Sequence, residues 1–181
     1  MSRGRWVMVC GPSGAGKDSL LAWTAAQLAA HKRIVFSRRL VTRAAHPGSD
    51  HDETSRAAFA ALRDGGGLAW HWEAHGTQYG VRAADAALVA RGQVVVVNAS
   101  REHVAGLPRR TDVVRVLVTA GAPVLRQRLL ARGREPQAEV DARMERSTQL
   151  GPGQADLVIV NEGPLEQAGA QLRDALLELA W

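Results

Sequence analysis

The apolar run from Arg5 to Cys10 ends in "GPSGAGKDSL" at residues 11–20, and leucines and alanines at helical spacing follow from Lys17 to His31. A strand, a glycine-rich turn and a helix in that order make the G-x-x-x-x-G-K pattern of Gly11, Gly16 and Lys17 a phosphate-binding loop. Glycines let the backbone curl until successive N–H groups face one anion, and the positive end of the helix adds to the field. Gly11, Pro12, Ser13, Gly14, Ala15, Gly16 and Lys17 are therefore expected to cradle the phosphates of a nucleoside triphosphate, with Lys17 reaching the terminal ones. Asp18 stands where a magnesium-binding hydroxyl usually follows the lysine. Two readings remain open. Asp18 is a helix-start acid favoured by the dipole and Ser19 supplies the hydroxyl, or Asp18 itself holds Mg²⁺, directly or through a water. A shift of one residue turns a side chain by about 100° around the helix, which favours Asp18 as the metal residue.

Beyond the loop, apolar runs and amphipathic stretches alternate to the end of the chain. "RIVFSRRLVT" at 33–42, "QVVVVNAS", "DVVRVLVTA" and "ADLVIVNE" read as strands. "RAAFAALRDGG", "ADAALVARG", "APVLRQRLLARG", "PQAEVDARMERS" and the stretch from Pro164 onward read as helices. Such alternation predicts an α/β fold of the P-loop NTPase type, a mostly parallel sheet with helices on both faces. One domain over residues 1–181 is expected, with an irregular insert at about 43–80 as an acceptor-binding lobe and an arginine-rich lid at about 132–146.

Composition narrows the function. The net charge of +5 comes almost wholly from arginine, since Lys17 and Lys32 are the only lysines. The arginines are scattered, with no basic run interleaved by aromatics, so small multiply anionic substrates are expected rather than nucleic acid. No apolar run approaches the roughly 20 residues that span a bilayer, and "MSRGRWVMVCG" leaves no room for a signal peptide, so a cytoplasmic protein without a membrane partner is expected. The single cysteine, Cys10, rules out an internal disulfide and reads as a buried thiol. His71 and His75 lack a third ligand pattern, which argues against zinc.

"GPSGAGKDSL", "RRLVTRAAHPG", "WEAHGTQYGV", "RLLARG" and "DLVIVNE" together resemble the guanylate kinase family in order and approximate spacing over nearly the whole chain. The departures are as informative as the matches. His46 stands where that family has a second phosphate-clamping arginine, His51 replaces a tyrosine, Gln78 replaces another, and Trp70 falls where a glutamate reads guanine. An indole offers one donor and no acceptor, so it cannot replace that carboxylate. The "DH" of the polar loop, the W-x-x-H-G-x-x-Y-G-V segment and "VVVVNASR" in place of an aspartate-containing strand end look like the ribose 1,5-bisphosphate phosphokinases of bacterial phosphonate catabolism.

The resemblance implies an ATP- and Mg²⁺-dependent phosphotransferase acting on a phosphorylated sugar. It implies Arg43 as an acceptor-phosphate clamp, with Arg39 as a second candidate, and Arg132 and Arg143 as lid arginines over the transferred group. His51, Glu73, His75, Tyr79 and Asn98 are expected near the acceptor or metal, and Asn161 at the adenine. The rivals are another phosphate kinase on this scaffold, guanylate kinase included, and a non-catalytic binding module, against which the intact loop argues.

Overall fold

The computed structural model describes residues 3–46, 49–131 and 154–181. Five parallel strands form the main sheet, in the order β2-β7-β1-β8-β9: β2 (Ile34–Phe36), β7 (Val94–Asn98), β1 (Arg5–Cys10), β8 (Val113–Thr119) and β9 (Leu157–Val160). β1 pairs with β7 on one side and β8 on the other, and its apolar run is buried on both faces. That double burial is why it reads as a continuous hydrophobic stretch instead of an alternation. Alternate residues divide between two cores. Val7 and Val9 pack toward α1 (Lys17–Gln27) and the C-terminal helix α6 (Leu165–Ala180), whereas Trp6, Met8 and Cys10 face Val95, Val97, Leu117 and Trp72. α1 and α6 approach closely because Gly169 has no side chain: a Cβ there would lie 2.3 Å from the Trp23 ring.

A second sheet, in the order β4-β3-β6-β5, comprises β4 (His51–Glu53), β3 (Arg39–Val41), β6 (Thr77–Arg82) and β5 (Leu68–Ala74). α2 (Arg56–Asp64) buries Phe59 against this sheet beside Gly80. β5 and β6 form a hairpin whose two turn residues, His75 and Gly76, have φ of 51° and 70°. Positive φ at both positions is the backbone of a tight hairpin turn matched to strand twist. α3 (Ala83–Ala90) and α4 (Arg101–Gly106) flank β7, and α5 (Ala122–Ala131) follows β8.

Three expectations change. The strand expected over 33–42 is two strands in different sheets, because the chain leaves the main sheet at Ser37, whose Oγ donates to Asp85 at 2.6 Å. The polar stretch read as a loop contains β4, paired in parallel with β3 so that His51 lies opposite Arg39. The insert is itself an ordered sheet that starts at Arg39 and ends at Arg82, wider than 43–80. α4, with six residues, was too short to carry a periodic signal. The arginine-rich lid, Arg132, Arg143 and the helix expected at "PQAEVDARMERS" lie outside the described residues. No helix among the described residues is long and apolar enough to cross a membrane.

Candidate active site

The phosphate loop turns from β1 into α1 through Gly14 and Gly16, whose φ values of 86° and 78° lie in the left-handed region that favours glycine. Gly16 is also the N-cap of α1 and provides no side-chain cap. The first-turn N–H groups are thus left without a capping side chain, which is the state that suits an incoming anion. Gly11, Pro12, Ser13, Gly14, Gly16, Lys17 and Asp18 line a cavity along the loop, whereas Ser19 is exposed and does not.

Two residues brace the loop from behind. Asn161, at the end of β9, is 4% exposed and its amide donates to the Ala15 carbonyl at 2.8 Å. The Arg128 guanidinium on α5 donates to the Asn161 carbonyl at 2.9 Å and reaches toward Gly14. The side-chain nitrogen of Asn161 is committed to the loop, and a Cβ on Gly16 would sit 2.6 Å from it.

A second cavity joins the loop to the other sheet. Lys17, Ser13 and Gly11 line one side, Arg39, Trp72, His75 and Tyr79 the other, and Asn98 to Glu102 the floor between them. Asn98, at the end of β7, is buried and bonds in both senses: its oxygen accepts from Lys17, and its nitrogen donates to Asp18 at 3.1 Å and to Asp50 at 2.7 Å. Lys17 also pairs with Asp18 at 3.0 Å, and Arg39 with Asp50 at 2.6 Å. Two cations and two carboxylates therefore meet around one neutral amide. Burial raises the Asp18 carboxyl, but the Lys17 ammonium and hydrogen bonds from Lys17 and Asn98 outweigh it and hold the group below the usual carboxylate range. Burial likewise raises Asp50, and Arg39, Asn98 and His51 more than offset it.

The acceptor-side wall is aromatic. Tyr79 stacks on Trp72 with ring centroids 5.5 Å apart, Trp72 stacks on His103 at 4.5 Å, and the Arg39 guanidinium lies over Tyr79 at 5.5 Å. Trp70 does not line this cavity. It packs edge-on to Trp6 at 5.8 Å, with Arg110 over its ring. Strand alternation also accounts for Glu73: Trp72 and Ala74 line the wall, whereas Glu73 is exposed and is not brought to the cavity. Arg43 is exposed and lies outside the lining as well. His51 is buried behind the wall, with Nδ1 3.4 Å from Asp50. Sequence reasoning missed Asp50, Trp72 and Arg128 as members of the site. The "DH" pair carried a signal for Asp50, and the W-x-x-H-G-x-x-Y-G-V segment opens on Trp72; nothing local tied Arg128 to the loop.

Burial pushes His103 down to about 4, with His71 adding to the effect, and its Nε2 is buried without a partner. The ring is neutral near pH 7. Between pH 6.5 and 4 the unfolded chain binds a proton there that the folded chain does not, so stability falls as pH falls through this window. Partial exposure of the site reduces the full linkage to about 2 kcal/mol. His103→Phe is expected to flatten the decline in Tm between pH 6.5 and 4 in a thermal-melt series; an unchanged slope would show that another group titrates. The Cys10 thiol is pushed up to about 11 by burial, which the nearby Arg101 and Lys17 only partly oppose, so it is an unreactive member of the core.

No protein-family model matches the chain. A ribose 1,5-bisphosphate phosphokinase PhnN from Pseudofrankia inefficax is 42% identical, the alignment covering 98% of this chain and 93% of that protein. The protein of the same name from Burkholderia pseudomallei is 44% identical over 98% of this chain and 97% of its own. A third, from Agrobacterium fabrum, is 38% identical over 96% and 97%. Among solved structures, guanylate kinase from Anaplasma phagocytophilum matches with a TM-score of 0.70 over 98% of this chain and 87% of that one, at 22% identity, which is a likeness of fold. With both the phosphate loop and near full-length identity in place, the chain belongs to the ribose 1,5-bisphosphate phosphokinase family.

Proposed function

We propose that this protein transfers the γ-phosphoryl group of ATP to the C1 phosphate of α-D-ribose 1,5-bisphosphate, giving 5-phosphoribosyl 1-diphosphate and ADP, as a step of phosphonate degradation. The observation that carries this reading is one cavity with Lys17 of the phosphate loop at one end and Arg39 of the second sheet at the other, Trp72, Ala74, His75 and Tyr79 forming the acceptor-side wall and Arg101 and Glu102 lying in the floor.

In this reaction the bond between the γ-phosphorus and the β–γ bridging oxygen breaks, and one forms to an oxygen of the C1 phosphate. That oxygen is already ionised near neutral pH, so no residue needs to remove a proton. The protein's work is to hold two anions in line and neutralise the charge that spreads over the transferred group. Lys17 and the amides of the loop bind the β- and γ-phosphates. Arg39 grips the acceptor, and Tyr79 keeps its guanidinium flat. His75 lines the acceptor side from a turn that fixes its backbone, and Asn98 keeps Lys17 aimed. Arg43, His51 and Glu73 are secondary candidates, and Arg132 and Arg143 are assigned by family pattern to the transferred group. Asp18, ionised and beside the loop, would hold Mg²⁺, which when bound neutralises charge between the β- and γ-phosphates. Among the described residues Asp18 is the carboxylate that lines the loop cavity, and this ion usually completes its shell with water and substrate phosphate.

ADP release from Mg²⁺-ATP, with ribose 1,5-bisphosphate and GMP compared as acceptors, tests the reading. Turnover with the sugar bisphosphate alone is expected; turnover with GMP alone would support a guanylate kinase instead.

A further inference from the structure

Arg39 is 8% exposed, lines the cavity, and has a buried Nε–H without a hydrogen-bond partner. A guanidinium that deep requires a counter-charge and a fixed orientation. Both come from Asp50. One carboxylate oxygen, Oδ2, accepts from Arg39 at 2.6 Å and from Asn98 at 2.7 Å, and the other faces His51 Nδ1 at 3.4 Å. Tyr79 covers a face of the same guanidinium. Arg39 is thus held at one terminal nitrogen and on one face, while its Nε–H, itself buried, has no partner.

We propose that Asp50 is a positioning residue for the acceptor: it fixes the Arg39 guanidinium in the cavity wall so that the arginine meets an acceptor phosphate. This rests on the functional reading above. Asp50 itself does not line the cavity and touches no reacting atom in the scheme. An asparagine keeps an oxygen for Arg39 and Asn98 only by turning its NH₂ toward His51, and it removes the negative charge that the buried guanidinium faces. The carboxylate is half exposed, so its replacement is not a core mutation.

The test is Asp50→Asn, with Asp50→Glu and the double variant Asp50→Asn/Arg39→Lys. KM for ribose 1,5-bisphosphate should rise about 10-fold in Asp50→Asn with kcat within about 3-fold and MgATP affinity unchanged, and Asp50→Glu should recover part of the loss. The Asn substitution should cost less than about 2-fold when Arg39 is already lysine, because a residue that acts through another loses its effect once that partner is changed. Arginine side-chain ¹⁵N–¹H spectra give a readout that needs no substrate: the protected Arg39 Nε–H signal, assigned with Arg39→Lys, should broaden or vanish in Asp50→Asn. An unchanged signal with unchanged KM, or a full penalty persisting in the Arg39→Lys background, overturns the proposal. A lost Nε–H signal would support the positioning role even if the wild type failed to turn over ribose 1,5-bisphosphate, a result that would overturn the acceptor reading.

Discussion

Lys17→Met is expected to reduce kcat by about 10³-fold, roughly 4 kcal/mol of transition-state stabilisation, while leaving the fold intact. Lys17 is the cation that the phosphate loop brings to the cavity lining, and its ammonium is held by Asn98 and Asp18 beside the uncapped start of α1. Methionine keeps most of the packing of the aliphatic stem and removes the charge. Asp18 is largely exposed and rehydrates when its partner goes, so the thermal midpoint should move little. Single-turnover kinetics at saturating substrates would read the effect on chemistry. A loss below about 10-fold would show that Lys17 does not stabilise the transferring group.

The second large effect belongs to Arg39→Ala, expected to lower kcat/KM for the acceptor by about 100-fold, or about 2.7 kcal/mol, with MgATP binding unchanged. Arg39 is buried, lies over Tyr79 and lines the cavity, whereas Arg43 is exposed and away from it. Arg43→Ala is the natural comparison. Equal losses in the two variants, or a loss confined to Arg43→Ala, would return the acceptor clamp to Arg43. Arg39→Lys should recover only part of the activity, because an ammonium can neither stack flat on Tyr79 nor present two parallel donors to one phosphate.

Much of this site was written in local sequence. The loop, the uncapped helix start and Asn98 at a strand end all follow from an apolar run that stops at glycine or at a polar residue. What depends on two strands lying side by side was not legible. Asp50 and Asn98 are 48 residues apart, and Asn161 meets Ala15 across 146. Neither end of such a pair carries a local mark of the other, so the bond from Asn161 to the loop backbone was not legible. The stretch 33–42 failed for a different reason. Its residues suit extended backbone throughout, and nothing in a strand pattern says that the chain changes sheets at Ser37. The exposure of Glu73, by contrast, was legible in the period of two that places Trp72 and Ala74 on one side.

Identifying the bond formed is the most direct test of the central claim, and ³¹P NMR of the product after incubation with Mg²⁺-ATP and ribose 1,5-bisphosphate reads it. A pair of mutually coupled diphosphate signals in the sugar product, beside an unchanged 5-phosphate monoester, is the expected result. A new monoester signal without that coupling would mean that the phosphoryl group goes to a hydroxyl, which contradicts a cavity organised to bring two phosphates together without a base.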